Sequence, residues 1–268
     1  MTGPPEQKTY LIAGATRGIG RGLVASLLQR EGSVVIAGVR DPEAETARSL
    51  EGLTRGKGAR LIVGYIRLQH LQSTHNITHL DVVIANAGKS QDFTPIHKLD
   101  LTATRSLFEV NTLGPLRLFQ AVYPLLKPGA RFLVMSSMGG SIHVALTFPF
   151  SVAAYGISKA AVNFLVAKGT PTSYFPSNTC GRCADLCCPA AQENPHLAIT
   201  ALHPGMVETD MAQAAIAVIG RENLTKHDGT ASLISVEESV AGLVQLLEKP
   251  KEEVTGKSLD WKGGVVPW

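Results

Sequence analysis

Between the apolar run Thr9–Ala13 and an amphipathic stretch at Gly20–Arg30, the chain reads Gly14-Ala15-Thr16-Arg17-Gly18-Ile19-Gly20. A strand that turns at once into a helix needs backbone conformations that side chains obstruct, and glycine supplies them. The same arrangement lets backbone N–H groups at a helix N-terminus approach a pyrophosphate. Any tight strand-to-helix turn can use glycines. The motif gains weight here from its place, after the first strand and before a helix.

The rest of the chain repeats that unit. The runs Val34–Gly38, Arg60–Val63, Asp81–Ala85, Arg131–Met135 and Ala198–Leu202 read as buried strands, with a short last one at Lys257–Asp260. Leu101–Leu126, Ala153–Lys168 and Val236–Glu248 carry a helical period. Such alternation predicts an α/β chain with a Rossmann-type, doubly wound parallel sheet. With no internal repeat and no Pro-, Gly- or Ser-rich linker, residues 1–268 read as a single domain.

A formal charge of +3 is too small and scattered for a nucleic-acid surface. No apolar stretch approaches bilayer length, and Met1–Gln7 lacks the pattern of a secretory leader. The expectation is a cytoplasmic protein with neither nucleic acid nor membrane as partner.

Two stretches break the rhythm. Gly64–His79 leaves room for little more than a crossover turn, where a parallel connection normally carries a helix. Gly169–Gln192 has no period and holds all four cysteines, Cys180, Cys183, Cys187 and Cys188. Their spacing is imperfect for a zinc site, a redox pair lacks its strand-to-helix setting, and no metal is expected. The stretch 169–192 reads as a surface insertion or as an in-frame translated intron.

Tyr155 and Lys159 lie four residues apart, on one face of the expected helix. A phenol with a pKa of about 10 is a poor proton-transfer group at neutral pH, and a nearby ammonium favours its ionised form. Ser136-Ser137-Met138-Gly139-Gly140 follows the fifth strand at the carboxyl edge of the sheet, where ligands bind in such folds. Asn86-Ala87-Gly88 ends the fourth strand, and Asn111 sits in the following helix. Arg17 lies in the glycine turn and Arg40 just beyond the second strand, where an acid would instead grip free ribose hydroxyls. The two could hold a 2′-phosphate, or be solvated surface arginines.

Taken in order, Gly-x-x-x-Gly-x-Gly, Asn-Ala-Gly, Asn111, Ser137, Tyr-x-x-x-Lys and Pro204-Gly205 closely resemble the short-chain dehydrogenase/reductase family, over nearly the whole chain apart from the two irregular stretches. The resemblance implies an NADP(H)-dependent reductase acting on a small-molecule ketone. It implies Tyr155 as proton donor, Ser137 as the group polarising the carbonyl, and Lys159 as partner of Tyr155 and of the nicotinamide ribose. Asn111 would hold a water linking Lys159 to solvent. Gly14, Arg17, Ile19, Gly20 and Arg40 would bind the cofactor; Asn86, Ala87 and Gly88 would line its adenosine side. Pro204, Gly205, Val207 and Thr209 would close over the nicotinamide. Ser137 is preferred to Ser136 because Ser137 and Gly140 satisfy the family's Ser-x-x-Gly.

Members of the family often pair through the helices after the fourth and fifth strands, which implies a homodimer or homotetramer. Within the family, Gly140-Ser141-Ile142 resembles a branch of fungal reductases, and Gly18–Leu23, Thr78–Val83 and Pro267-Trp268 resemble fungal ketoreductases of aromatic polyketide pathways. Substrate-facing residues are expected in Thr147–Val152 and in a helix from Asp210 to Arg221, including Ala212, Ala214, Ala215, Ile216, Ala217, Val218 and Ile219. The chain departs from the family at Ala13, where Thr is usual, and at Tyr65-Ile66-Arg67, where an Asp usually meets the adenine. If those irregularities cripple the site, a catalytically impaired cofactor-binding protein is the alternative.

Overall fold

The computed structural model describes residues 7–90, 93–148, 151–169, 194–221 and 233–268. Their backbone forms one seven-stranded sheet of β1 (Thr9–Ala13), β2 (Val34–Gly38), β3 (Arg60–Gly64), β4 (Leu80–Ala85), β5 (Leu126–Met135), β6 (Ala198–His203) and β7 (Ser258–Asp260). The strands run in the order β3-β2-β1-β4-β5-β6-β7, and all pairings are parallel. The order reverses between β1 and β4, so a crevice opens beyond their carboxyl ends.

The helices are α1 (Gly18–Leu28), α2 (Glu45–Arg48), α3 (Leu68–His75), α4 (Leu101–Phe108), α5 (Gly114–Val122), α6 (Ile142–Ala145), α7 (Ala153–Gly169), α8 (Asp210–Ile219), α9 (Val236–Leu246) and α10 (Lys251–Val254). Strand residues alternate between two cores. Tyr10, Ile12, Val35 and Ala37 pack toward α1 and α9 through Leu23, Leu27, Val240 and Leu243. Leu11, Ile36, Val83 and Val134 pack on the other face with Leu71, Leu118, Val122, Val162 and Val166. This two-sided burial is why the strands read as continuous apolar runs.

The expected long helix Leu101–Leu126 is interrupted. A π turn, Glu109–Leu113, separates α4 from α5, and a 3₁₀ turn at Tyr123–Leu125 leads into β5. The reading of Gly64–His79 as a bare turn is corrected: it carries the eight-residue helix α3. Leu71 of α3 is 1% exposed and Ile77 just after it 5%, with the partly buried Leu68 packed beside them, so a few apolar residues seat this short helix. Too few apolar positions were present for a helical period to show.

The gap between α7 and β6 is also informative. Asn194 Nδ2 donates to Gly169 O at 3.3 Å, so the chain leaves α7 and returns at one place. The cysteine stretch lies outside the described residues, and with it the zinc and redox readings.

Asn76 caps α3 in the left-handed region, φ 55° and ψ 36°, with its N–H donated to Leu71 O. That conformation costs ordinary side chains about 1–2 kcal/mol, and a branched Cβ is among the worst suited. Asn76→Val should lower stability by about that amount, while Asn76→Gly should hold or raise it. Urea unfolding midpoints check the pair.

Candidate active site

The β5–α6 connection and α7 approach more closely than side chains would allow. A Cβ on Gly140 would lie 2.7 Å from the Lys159 carbonyl carbon, and one on Gly156 would lie 2.6 Å from Gly139 O. With hydrogen in both places, the turn after β5 rests on the helix face carrying Tyr155 and Lys159. The two neighbouring serines then diverge. Ser136 is 2% exposed and donates to Asn163 Oδ1, whose amide in turn donates to Gly140 O at 3.2 Å. Both serines border the cavity, but the Ser137 side chain is hydrogen-bonded to Tyr155.

Lys159 is 3% exposed, and its Nζ donates to Met135 O at 2.7 Å. It stands 5.7 Å from the centroid of the Tyr155 ring. Burial without an anionic partner lowers its pKa to about 8. Burial pushes the Tyr155 phenol up, and the hydrogen bond with Ser137 works against that rise. The ammonium expected to act on the phenol is turned toward the β5 carbonyl.

Asn111, wholly buried, sits in the π turn. Its Oδ1 accepts from Lys89 N at 2.9 Å, and its Nδ2 donates to Lys89 O at 2.9 Å and to Ser158 Oγ at 3.0 Å. It therefore fastens the chain beyond Gly88 to α7. A Cβ on Gly88 would lie 3.5 Å from Asn111 Oδ1 and 3.7 Å from Lys159 Nζ, so both polar groups face this glycine.

On the crevice's other wall, Gly14 (φ +79°) lies so close to Ala87 that a Cβ would come within 2.7 Å of Ala87 Cα. Asn86 Nδ2 donates to Gly14 O at 2.9 Å, bracing the glycine turn. A Cβ on Gly20 would strike both Gly14 O and that amide. α1 starts with no side-chain cap and no acid in its first turn, leaving its first N–H groups free of any such partner. Arg40 is exposed and has no partner among the described residues. Arg17 is paired with Asp210 at 2.7 Å, across the crevice mouth.

Pro204, Gly205, Val207 and Thr209 line the same cavity as Ile19, Ser137 and Tyr155. Thr209 caps α8 by accepting from Ala212 N, and a Cβ on Gly18 would lie 3.3 Å from its methyl group. Of the expected substrate-facing residues, Phe148, Val152, Met211, Ala212 and Ala215 line the cavity. Ala214, Ile216, Ala217, Val218 and Ile219 do not, and Val218 is 61% exposed. Met206, between the expected Gly205 and Val207, lines it as well, and sequence reasoning missed Phe93, Met138 and His203, which add to the wall. His203 is 5% exposed with Nδ1 accepting from Met138 N at 3.4 Å; its place at the end of β6 was the available signal.

The chain matches the family described as short chain dehydrogenase over residues 8–170. A short chain dehydrogenase of Penicillium aethiopicum is 34% identical over 274 residues, covering 97% of this chain and 99% of the relative. The norsolorinic acid ketoreductase of Aspergillus parasiticus is 31% identical over 284 residues, covering 99% and 93%. Among solved structures, the NADPH-bound carbonyl reductase from chicken fatty liver has a TM-score of 0.72 at 26% identity, with 97% of this chain and 99% of that one covered.

The buried Lys159 carries a stability signature. Its pKa falls from 10.5 in the unfolded chain to about 8 in the folded one, so between those values the unfolded state binds more protons and stability rises with pH. Below pH 8 the folded state bears the full cost, about 3 kcal/mol at 1.36 kcal/mol per unit. Lys159→Met should therefore match or exceed the parent in stability at pH 7, and lose that advantage as pH rises from 8 toward 10. Urea unfolding at pH 7 and pH 9.5 tests this.

Proposed function

The chain belongs to the short chain dehydrogenase family, and we propose that it reduces a ketone on an aromatic polyketide, a norsolorinic acid-like anthraquinone. At the coarser level it is an NADP-dependent ketoreductase. The residues present fit that cofactor: an uncapped helix start over a glycine turn for the pyrophosphate, and the unpartnered Arg40 for the 2′-phosphate. When bound, the reduced cofactor supplies the hydride.

The observation that carries the substrate reading is the wall of the cavity over Ser137 and Tyr155. Phe93, Phe148, Met138, Met206 and Met211 surround it with rings and thioethers. Flat aromatic surfaces pack well on such a wall, since sulfur and ring edges both contact π faces favourably. Within that wall the Ser137 and Tyr155 hydroxyls stand together, hydrogen-bonded to each other, beside a carbonyl placed there. In this reading Ser137 donates a hydrogen bond to the carbonyl oxygen and Tyr155 gives it a proton. Lys159 lies behind Tyr155, ready to turn from Met135 O toward a ribose and the phenol. Asn111 acts by holding Gly88 and α7 in register.

Three further readings complete the proposal. The protein works in the cytoplasm; no described helix is long and apolar enough to cross a membrane. It assembles as a homodimer or homotetramer through α4 and α7, where Leu101, Ile157 and Phe164 are 67%, 49% and 67% exposed. The cysteine stretch is an insertion, supported by the meeting of Gly169 and Asn194 at its two ends. Its excision should therefore leave the thermal midpoint unchanged or higher, as scanning calorimetry of the trimmed chain would register.

The mechanism and the substrate class are tested together. Tyr155→Phe should lower kcat for ketone reduction by about 10²–10⁴-fold while NADPH affinity, titrated by fluorescence, stays nearly constant. In the parent protein, kcat/KM for an anthraquinone ketone should exceed that for a short aliphatic ketone by roughly tenfold or more. Activity surviving in the variant would refute the proton donor; equal kcat/KM values would refute the aromatic substrate.

A further inference from the structure

The carboxyl ends of β1, β2 and β3 stand level, Ala13 beside Gly38 and Gly38 beside Gly64. Each strand leads to an arginine on the exposed rim: Arg17, Arg40 and Arg67. Arg17 is engaged by Asp210 and Arg40 has no partner among the described residues. Arg67 belongs to the Tyr65-Ile66-Arg67 turn, which stands where the family resemblance leads one to expect a carboxylate.

That turn is firmly shaped. Arg67 N donates to Tyr65 O at 3.0 Å, and the guanidinium lies 5.4 Å from the centroid of the Tyr65 ring. Tyr65 is 50% exposed, so the stacked pair stands at the surface rather than in the core. Two contacts tie it to the loop carrying Arg40. Val39 N donates to Gly64 O at 3.0 Å, and a Cβ on Gly38 would lie 2.4 Å from Ile66 Cδ1. Pro42, two residues beyond Arg40, shares a cavity wall with Tyr65 and Arg67. Ile66, packed on Gly38, offers no acceptor to an adenine amino group. Two exposed guanidinium groups just beyond the paired ends of β2 and β3 are instead suited to a doubly charged oxyanion.

We infer that Arg67, propped by Tyr65, is the second arm with Arg40 of the grip on the cofactor's 2′-phosphate. The adenosine end is then held through its phosphate rather than through the edge of its base. This rests on the NADP(H) reading, and the test separates the two.

Calorimetric titration of the full chain with adenosine 2′,5′-bisphosphate and with 5′-AMP isolates this end of the site from the chemistry. The parent protein should bind the bisphosphate far more tightly; equal binding would sink the NADP(H) reading itself. Arg67→Gln should weaken the bisphosphate about tenfold, as loss of a charge-assisted contact does, and leave 5′-AMP within about twofold. Arg40→Gln should do the same. Arg67 is exposed, so the variant's thermal midpoint should match the parent's. A preference for bisphosphate left undiminished by Arg67→Gln overturns the inference, and so does equal weakening of both ligands, which would make Arg67 a platform for the base.

Discussion

The close seating of the Met138–Gly140 turn on α7 is the contact on which the site depends. Hydrogen at Gly140 and Gly156 lets two backbones meet where a methyl group would hold them apart. Because they meet, Ser137 reaches Tyr155, and the Lys159 chain can pass beneath the turn to Met135 O. Ser136 and Asn163 secure the approach from the buried side. Chemistry and packing are thus divided between adjacent serines, one hydroxyl bonded to Tyr155 and the other to Asn163.

The crevice is assembled in the same way. Asn86 reaches from the end of β4 to the carbonyl of Gly14, joining the two strands between which the sheet order reverses. Opposite, the loop after β6 comes near the glycine turn through Thr209 and through the Arg17–Asp210 pair. Both of those residues are largely exposed, and a pair of that kind is worth little on its own. An incoming phosphate can compete for Arg17 at small cost.

Much of this was legible from residues. Strands buried on both faces announce themselves as apolar runs, and the order of the glycine turn, Asn86, Ser137, Tyr155 and Lys159 follows the strand ends. What stayed hidden depended on tertiary context. α3 rests on Leu68, Leu71 and Ile77, too few apolar positions for a period to emerge. The engagement of Arg17 joins residues far apart in the chain, and no local pattern reports it. For α8, apolar composition suggested a whole face toward substrate. Only Met211, Ala212 and Ala215 reach the cavity, because one helical face, not one composition, can point one way.

The π turn at Glu109–Leu113 is a phase shift. An α-helix advances about 100° per residue, so the wider turn leaves α5 out of step with α4 by roughly the angle of one residue. Asn111 sits inside that slip and points at Lys89 and Ser158 because of it. Losing a single residue there would let the segment relax into one continuous helix, more regular than before. It would also rotate either Asn111 or the apolar face of α5 away from its partners. The irregularity acts as a phase lock: a point change leaves the phase as it is, whereas changes of length meet a barrier on both sides.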